Sequence, residues 1–441
     1  MSTLTAPPAS AGRPADPYFK PEPLSVAELG LDASVVRDLT LKTLYYRGRM
    51  TRMDLADELR LSQPVMEEVM SDLSREGFVT VLGSEGTGAA AYQYAATQKG
   101  LDRAEAAIAR SGYVGPAPVR LSDYVAQARA QTVVNAEVTR EQVLRALGDL
   151  VLADETVARI GRAASSRKPT LVYGASGNGK TTAVRALGTV VGGSLLIPYA
   201  FEVVGQIVKV YDPSKHVLVQ EESGEVDVLR TREDRRWVRI ERPVIWAGGE
   251  LTRHSLELVY DDETKVYEAP LQLKANGGTL IIDDFGRQQM PAVQLLNRWI
   301  VALEGGVDHL TMHTGQTIEV PFDVLVLFST NLPPERLADE AFLRRIRYKV
   351  EVPNPTRDEY REIFRRECAK AGIAYDDDAV THLFDIWYDS HRREPRGCHP
   401  RDIVEALVDA ATYEGRAPVI SNTAIDEACN TYFLRPMNAP E

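Results

Sequence analysis

Between Thr170 and Val191 the chain reads TLVYGASGNGKTTAVRALGTVV, an apolar run, a glycine-rich turn and then a stretch with helical periodicity. The turn, Gly174, Ala175, Ser176, Gly177, Asn178, Gly179, Lys180 and Thr181 with Thr182 behind it, fits G-x-x-x-x-G-K-[ST] without a mismatch. The glycines remove Cβ atoms that would keep backbone N–H groups from wrapping a polyphosphate, and they permit the positive φ angles of such a wrap. The helix that follows would aim its free N–H groups and positive dipole end at the same anion. Lys180 supplies a mobile cation for terminal phosphates, and the Thr181 hydroxyl is placed to ligate Mg²⁺. Far downstream, Gly278–Phe285 (GTLIIDDF) is a buried-strand pattern ending in two carboxylates. Asp283 suits the second hold on the metal, and Asp284 suits the orientation of an attacking water.

These residues need a scaffold, and the composition allows one. The 441 residues have room for two or three domains, with 44 % hydrophobic and 26 % charged residues as in ordinary globular proteins. A net charge of −12 argues against general nucleic-acid binding unless basic residues are segregated. Cys368, Cys398 and Cys429 have neither the number nor the spacing of a disulfide frame or zinc site. No apolar run reaches the roughly 18 residues of a membrane span, and no signal-peptide core is present, which predicts a cytoplasmic protein.

Residues 1–23, rich in Pro, Ala and Ser, read as a disordered arm. A capping box at Ser25-Val-Ala-Glu28 predicts a helix to about Tyr46. Residues 24–111 then resemble the winged helix-turn-helix family: Thr51–Leu59 and Pro64–Glu76 as helices, Phe78–Leu82 and Ala91–Ala95 as a hairpin wing, Gln98–Ala109 as a closing helix. The outer face of the second helix carries Glu67, Glu68 and Asp72, and the wing from Gly77 to Gln98 has no Lys or Arg. DNA readers present the opposite charge, so this unit is expected to dock protein or serve a structural role rather than bind DNA. Residues 112–138, opening with a Gly/Pro stretch, read as a linker, and a capping box at Thr139-Arg-Glu-Gln142 opens a helix to about Val151.

After Lys180 and its helix, Ser194–Val204 reads as a second strand and about 205–277 as a β insertion, including a hairpin of Leu256–Tyr260 with Lys265–Glu268. Pro291–Leu303 is helical, Asp308–Pro321 a hairpin turning at Thr314-Gly315, and Phe322–Phe328 a buried strand ending in Ser329-Thr330-Asn331. This order of parts resembles the AAA+ ATPases over roughly Thr139 to Leu434. The resemblance implies an α/β nucleotide-binding domain (139–353) with a five-stranded parallel sheet, and a helical lid (354–441). It also implies ATP and Mg²⁺ as ligands and assembly into a homo-oligomeric ring, a hexamer by analogy, with nucleotide between subunits. By position, Asn331 matches the sensor asparagine, Arg344 or Arg345 the arginine finger shown to a neighbour, and Arg401 the second sensor from the lid. Capping at Thr356-Arg-Asp-Glu359, an acidic start at Asp376–Asp378, and His399-Pro-Arg-Asp402 would open the lid helices.

The hairpin before the sensor strand and the β insertion are similar to the MoxR and magnesium-chelatase branch. The family's usual second carboxylate is glutamate, whereas Asp284 is one methylene shorter and suits slower turnover. No GAFTGA-type loop is present. The leading expectation is an ATPase that remodels a protein client or adaptor. The alternatives are a nucleic-acid motor or ATP-regulated transcription factor gripping DNA through the winged helix, and a nucleotide-dependent scaffold that scarcely hydrolyses.

Overall fold

In a computed structural model of the chain, residues 19–84, 92–132, 138–148, 150–219, 233–337 and 343–433 are described. At its centre are five parallel strands in the spatial order Val244–Ala247, Thr279–Ile282, Leu325–Thr330, Thr170–Tyr173 and Tyr348–Glu351. The middle strands are buried on both faces, as near-continuous apolar runs such as TLII and LVLFST require. On one face the helix Lys180–Val190 lays Val184 and Leu187 against Val172, Ile281 and Leu327. On the other the helix Ala292–Gly305 packs Leu295, Leu296 and Trp299 against Leu280, Val326 and Phe328. Because the strands are parallel, the glycine-rich loop, the acidic pair and Asn331 all emerge at one edge, where ligands bind in open α/β sheets.

The second core strand is not the expected one. Ser194–Pro198 pairs antiparallel with Trp237–Glu241, outside the parallel sheet. Ala200–Val203 joins a different, mixed sheet with Gln206–Lys209, Val266–Glu268, Val259–Asp261 and Val119–Arg120. Pro198 ends the first piece of what reads as one strand, and Tyr199 stands between it and the second. The core position is filled by Val244–Ala247, which lies within the stretch expected as insertion. The β insertion therefore flanks a core strand on both sides instead of running unbroken over 205–277. The hairpins at Val259–Asp261/Val266–Glu268 and Val307–Thr311/Thr317–Pro321 form where their sequences place them, the latter turning through Gly315 at φ +83°.

Residues 112–132 are not a linker. Val119–Arg120 adds a strand beside Phe201, and the helix Leu121–Ala130 stacks Tyr124 on Phe201 with ring centroids 5.5 Å apart. Just beyond it, buried Gln131 pairs its amide with the backbone of Leu196 in both directions, at 2.9 and 2.6 Å. That exchange satisfies strand groups that would otherwise be orphaned.

The amino-terminal unit runs helix Ala33–Arg47, strand Arg49–Thr51, helices Arg52–Glu58 and Gln63–Arg75, strands Val79–Ser84 and Tyr92–Ala96, then helix Gln98–Arg110. The turn between the last two strands lies outside the described residues. Its first helix starts at Asp32, whose side chain accepts from Ser34 N–H, and not at Ser25. Ser25–Glu28 leads only into a short 3₁₀ turn that Gly30 ends at φ +70°. The unit's core runs on into Ala200, Ile207 and Val266 of the mixed sheet, and Asp57 pairs with Arg235 at 2.8 Å. Part of the expected arm is also packed: Lys20 C=O accepts from Asp234 N–H, and Pro21 bridges Glu233.

The carboxyl-terminal helices are Arg357–Ala371, Asp377–His382 continuing as a π-helical turn, His399–Tyr413 and Asn422–Tyr432. The first has a complete capping box between Thr356 and Glu359, and Asp376 caps the second. Tyr360, Phe364, Phe384, Leu407 and Ile425 close their shared core.

Candidate functional site

The glycine-rich loop leaves the Thr170–Tyr173 strand at Gly174, whose φ is +146°. A Cβ there would lie 2.2 Å from Val352 O, so the loop and the end of the neighbouring strand approach as only glycine allows. Gly179, at φ +80°, forms the N-cap of the helix Lys180–Val190 and leaves that helix's first N–H groups facing the loop. Lys180 is buried, and its Nζ donates to Ala175 O at 2.8 Å. Burial lowers its pKa below the usual lysine value, and the Asp284 and Asp283 carboxylates oppose that shift.

Across 102 residues of sequence, the Thr181 hydroxyl stands 3.3–3.4 Å from both carboxylate oxygens of Asp283. Asp283 is held where the Thr279–Ile282 strand ends, its N–H donating to Ala247 O and its C=O accepting from the Gln288 amide. Asp284 follows with φ +49°, a left-handed conformation that aspartate tolerates better than most residues, and its N–H donates to Asp283 Oδ1. Phe285 N–H to Ser329 O and Thr330 Oγ1 to Phe285 O lock this turn to the strand that carries Asn331. The Oδ1 atom of Asn331 is buried and has no partner among the described protein groups.

A cleft of about 570 Å³ opens here, lined by Ser176–Thr182, Asp284, Asn331 and Arg401, with Leu150–Ala153 as one wall and Ile363 and Lys370 on the carboxyl-terminal helices. The wall exists because the helix expected to reach Val151 ends at Ala146, leaving 150–153 outside any helix beside the loop. Arg401, in the first turn of His399–Tyr413, pairs with Asp402 at 2.8 Å. The fold thus gathers Thr181, Asp283, Asp284, Asn331 and Arg401 around one loop. Arg344 and Arg345 do not line the cleft of their own chain: Arg344 is exposed, and Arg345 pairs with Glu304 at 2.9 Å. Residues 338–342, just before them, lie outside the described residues.

The oxygen set of Thr181 and Asp283 suits a hard cation such as Mg²⁺, and the unpaired Asn331 amide oxygen suits a polar ligand in the cleft. No cluster of three or more His, Cys, Asp or Glu that could hold a metal ion exists among the described residues. His399 is instead a buried structural group: its Nδ1 meets the Tyr388 hydroxyl at 2.8 Å, and burial with nearby Arg396 lowers its pKa to about 4. No helix among the described residues is long and apolar enough to cross a membrane. The sequence reading passed over the contacts between the glycine-rich loop and residues 396–398. The local spelling REPRGCHP, with Gly397 as its only glycine, carries no signal for them.

The five-stranded parallel sheet, the glycine-rich loop at its carboxyl edge and the helical bundle beside it make this an α/β P-loop fold. A family model described as a domain of unknown function (DUF8689) matches residues 356–431, the carboxyl-terminal helices. No curated protein matches the chain. Among solved structures, NtrX from Brucella abortus is similar at 16 % identity over 65 % of this chain and 55 % of that one, with a TM-score of 0.41. NtrX in complex with ADP is similar at 17 % identity over 74 % and 65 %, with a TM-score of 0.39. The Thermotoga maritima RuvB Holliday junction branch migration motor is similar at 14 % identity over 64 % and 70 %, with a TM-score of 0.36. This chain spans between about half and two thirds of the NtrX polypeptides. Likenesses of this size concern the course of the chain alone.

Proposed function

We propose that the protein binds ATP with Mg²⁺ in this cleft and hydrolyses it. The observation that carries the reading is the meeting of Thr181 with Asp283 beside Lys180, at the loop end of a dipole-bearing helix. The loop N–H groups and Lys180 hold the phosphates, and Thr181 and Asp283 hold the metal, which when bound neutralises charge on the phosphate oxygens. Asp284 accepts a hydrogen bond from the attacking water and fixes its approach, Asn331 orients the same water or the terminal phosphate, and Arg401 reaches that phosphate from the lid. In a homo-oligomeric ring Arg344 or Arg345 would complete a neighbour's site, a contribution worth about 10³–10⁵ in rate in comparable systems.

The work done with ATP is proposed to be remodelling of a protein partner, with the winged-helix-like unit as a docking surface. All three acidic side chains on the outer face of the helix Gln63–Arg75 are engaged within the unit: Glu67 pairs with Arg52, Asp72 pairs with Arg75, and Glu68 accepts from Val26 N–H. By sequence the wing from Gly77 to Gln98 has no Lys or Arg and the helix face is acidic, which disfavours groove reading.

Calorimetric titration with ATP tests the site: Lys180→Ala should lose binding, whereas Asp284→Asn should keep it and lose turnover by about 10²-fold or more. Equal affinity for Lys180→Ala and the unaltered protein would overturn the assignment. Capture of partners with ATP-loaded Asp284→Asn should retain polypeptide. Retention of duplex DNA, with affinity falling steeply on added salt, would replace the protein-client reading.

A further inference from the structure

Asn178 sits inside the phosphate loop, yet its side chain is committed to the lid. Only 6 % exposed, it donates from Nδ2 to Pro353 O at 3.1 Å and to Asn354 Oδ1 at 2.8 Å, and its Oδ1 accepts from Gly397 N–H at 3.0 Å. Both amide protons and the oxygen are therefore used on two other segments. One is the Pro353-Asn354-Pro355 joint between the parallel sheet and the lid, its φ angles fixed by two prolines. The other is the turn that starts the Arg401 helix. Asn354 passes the connection on, donating to Glu394 Oε2 at 2.7 Å.

The neighbouring loop residues meet the same turn. Arg396 donates to Ser176 O at 3.5 Å, and Cys398 Sγ packs so close to Gly177 that a Cβ there would lie 2.4 Å away. Arg401 follows three residues after Cys398, so whatever fixes residues 396–398 fixes the start of the helix from which its guanidinium, paired with Asp402, extends.

Resting on the nucleotide-binding reading above, we propose that Asn178 is a positioning residue. It latches the lid to the phosphate loop and thereby places Arg401 over the nucleotide. The loop's N–H groups hold phosphate while the side chain of the same loop holds the lid, so movement of one is felt by the other. No such role is needed for phosphate binding itself, which the loop backbone and Lys180 supply.

The full chain carries its own reporter. Cys398 is partly exposed beside Gly177, whereas Cys368 and Cys429 are fully buried. Labelling with a thiol reagent in the absence of nucleotide, read by peptide mass, should be faster at Cys398 by about tenfold in Asn178→Ala, since a buried polar contact is lost. Cys368 and Cys429 should stay protected, which excludes general unfolding. Unchanged Cys398 labelling overturns the latch.

The second arm tests action through Arg401. Asn178→Ala should lower kcat by about tenfold with KM for ATP altered by less than about threefold, and should cost under about twofold when added to Arg401→Ala. Fully additive losses overturn the positioning role even if the latch is real. A lack of ATP binding by the unaltered protein defeats the nucleotide reading and the Arg401 arm with it, whereas the nucleotide-free labelling rates still decide the latch.

Discussion

Replacing Gly174 with alanine should be among the most damaging single-methyl changes in this protein, and its cost follows from two distances and an angle. The new Cβ would lie 2.2 Å from Val352 O and 3.2 Å from Val352 C, where φ is +146°. Val352 cannot give way easily, because its N–H donates to Tyr173 O and the strand before it is registered with Thr170–Tyr173. The unfavourable backbone conformation contributes about 1–3 kcal/mol, and forced overpacking a further 1–3 or so. The sum, about 2–6 kcal/mol, is a large share of the 5–15 or so that stabilises a typical domain.

Gly177→Ala meets a softer obstacle. Its Cβ would lie 2.4 Å from Cys398 Sγ, a side chain that can be removed, at φ +86°. The double variant with Cys398→Ala should recover the overpacking share, about 1–3 kcal/mol, and keep the backbone share. Thermal unfolding of the four single and double variants, closed as a double-mutant cycle to subtract the cost of Cys398→Ala itself, separates the two. ATP titration of the same samples should show Gly174→Ala without measurable binding. Gly174→Ala with native stability and native affinity, or no relief of Gly177→Ala by Cys398→Ala, would refute the reasoning.

Mixing an Arg344→Ala/Arg345→Ala variant with Lys180→Ala should restore part of the ATPase activity in mixed assemblies, and no recovery despite demonstrated co-assembly would remove the finger assignment. Acid should destabilise the lid through His399. Its pKa falls from 6.5 to about 4 on folding, so the unfolded chain takes up the proton first as pH drops. Stability is then lost progressively between those two values, by about 3 kcal/mol at most. His399→Gln should flatten the melting temperature over that range, and an unchanged pH slope would contradict the assignment.

What could be read from the chain alone was whatever is encoded within a few consecutive residues. The loop from Gly174 to Thr181, the carboxylates after the Thr279–Ile282 run and the capping boxes at Thr139 and Thr356 each carry their geometry in local backbone chemistry, and each forms where its spelling places it. The hairpin turning at Gly315 is of the same kind.

Strand partnership is not encoded that way. Four-residue runs such as Val244–Ala247 and Ala200–Val203 look alike in sequence, and only the packing of the helices Lys180–Val190 and Ala292–Gly305 decided which one completed the parallel sheet. The same holds for Val119–Arg120, whose pairing with Phe201 turned an expected linker into sheet. It holds too for Asn178, whose type permits a phosphate-loop role but whose partners, 175 to 219 residues away, were chosen by how the lid closes on the loop. Local dihedral and capping preferences survive in a short peptide, whereas these long-range pairings exist only once a shared core has brought distant segments together.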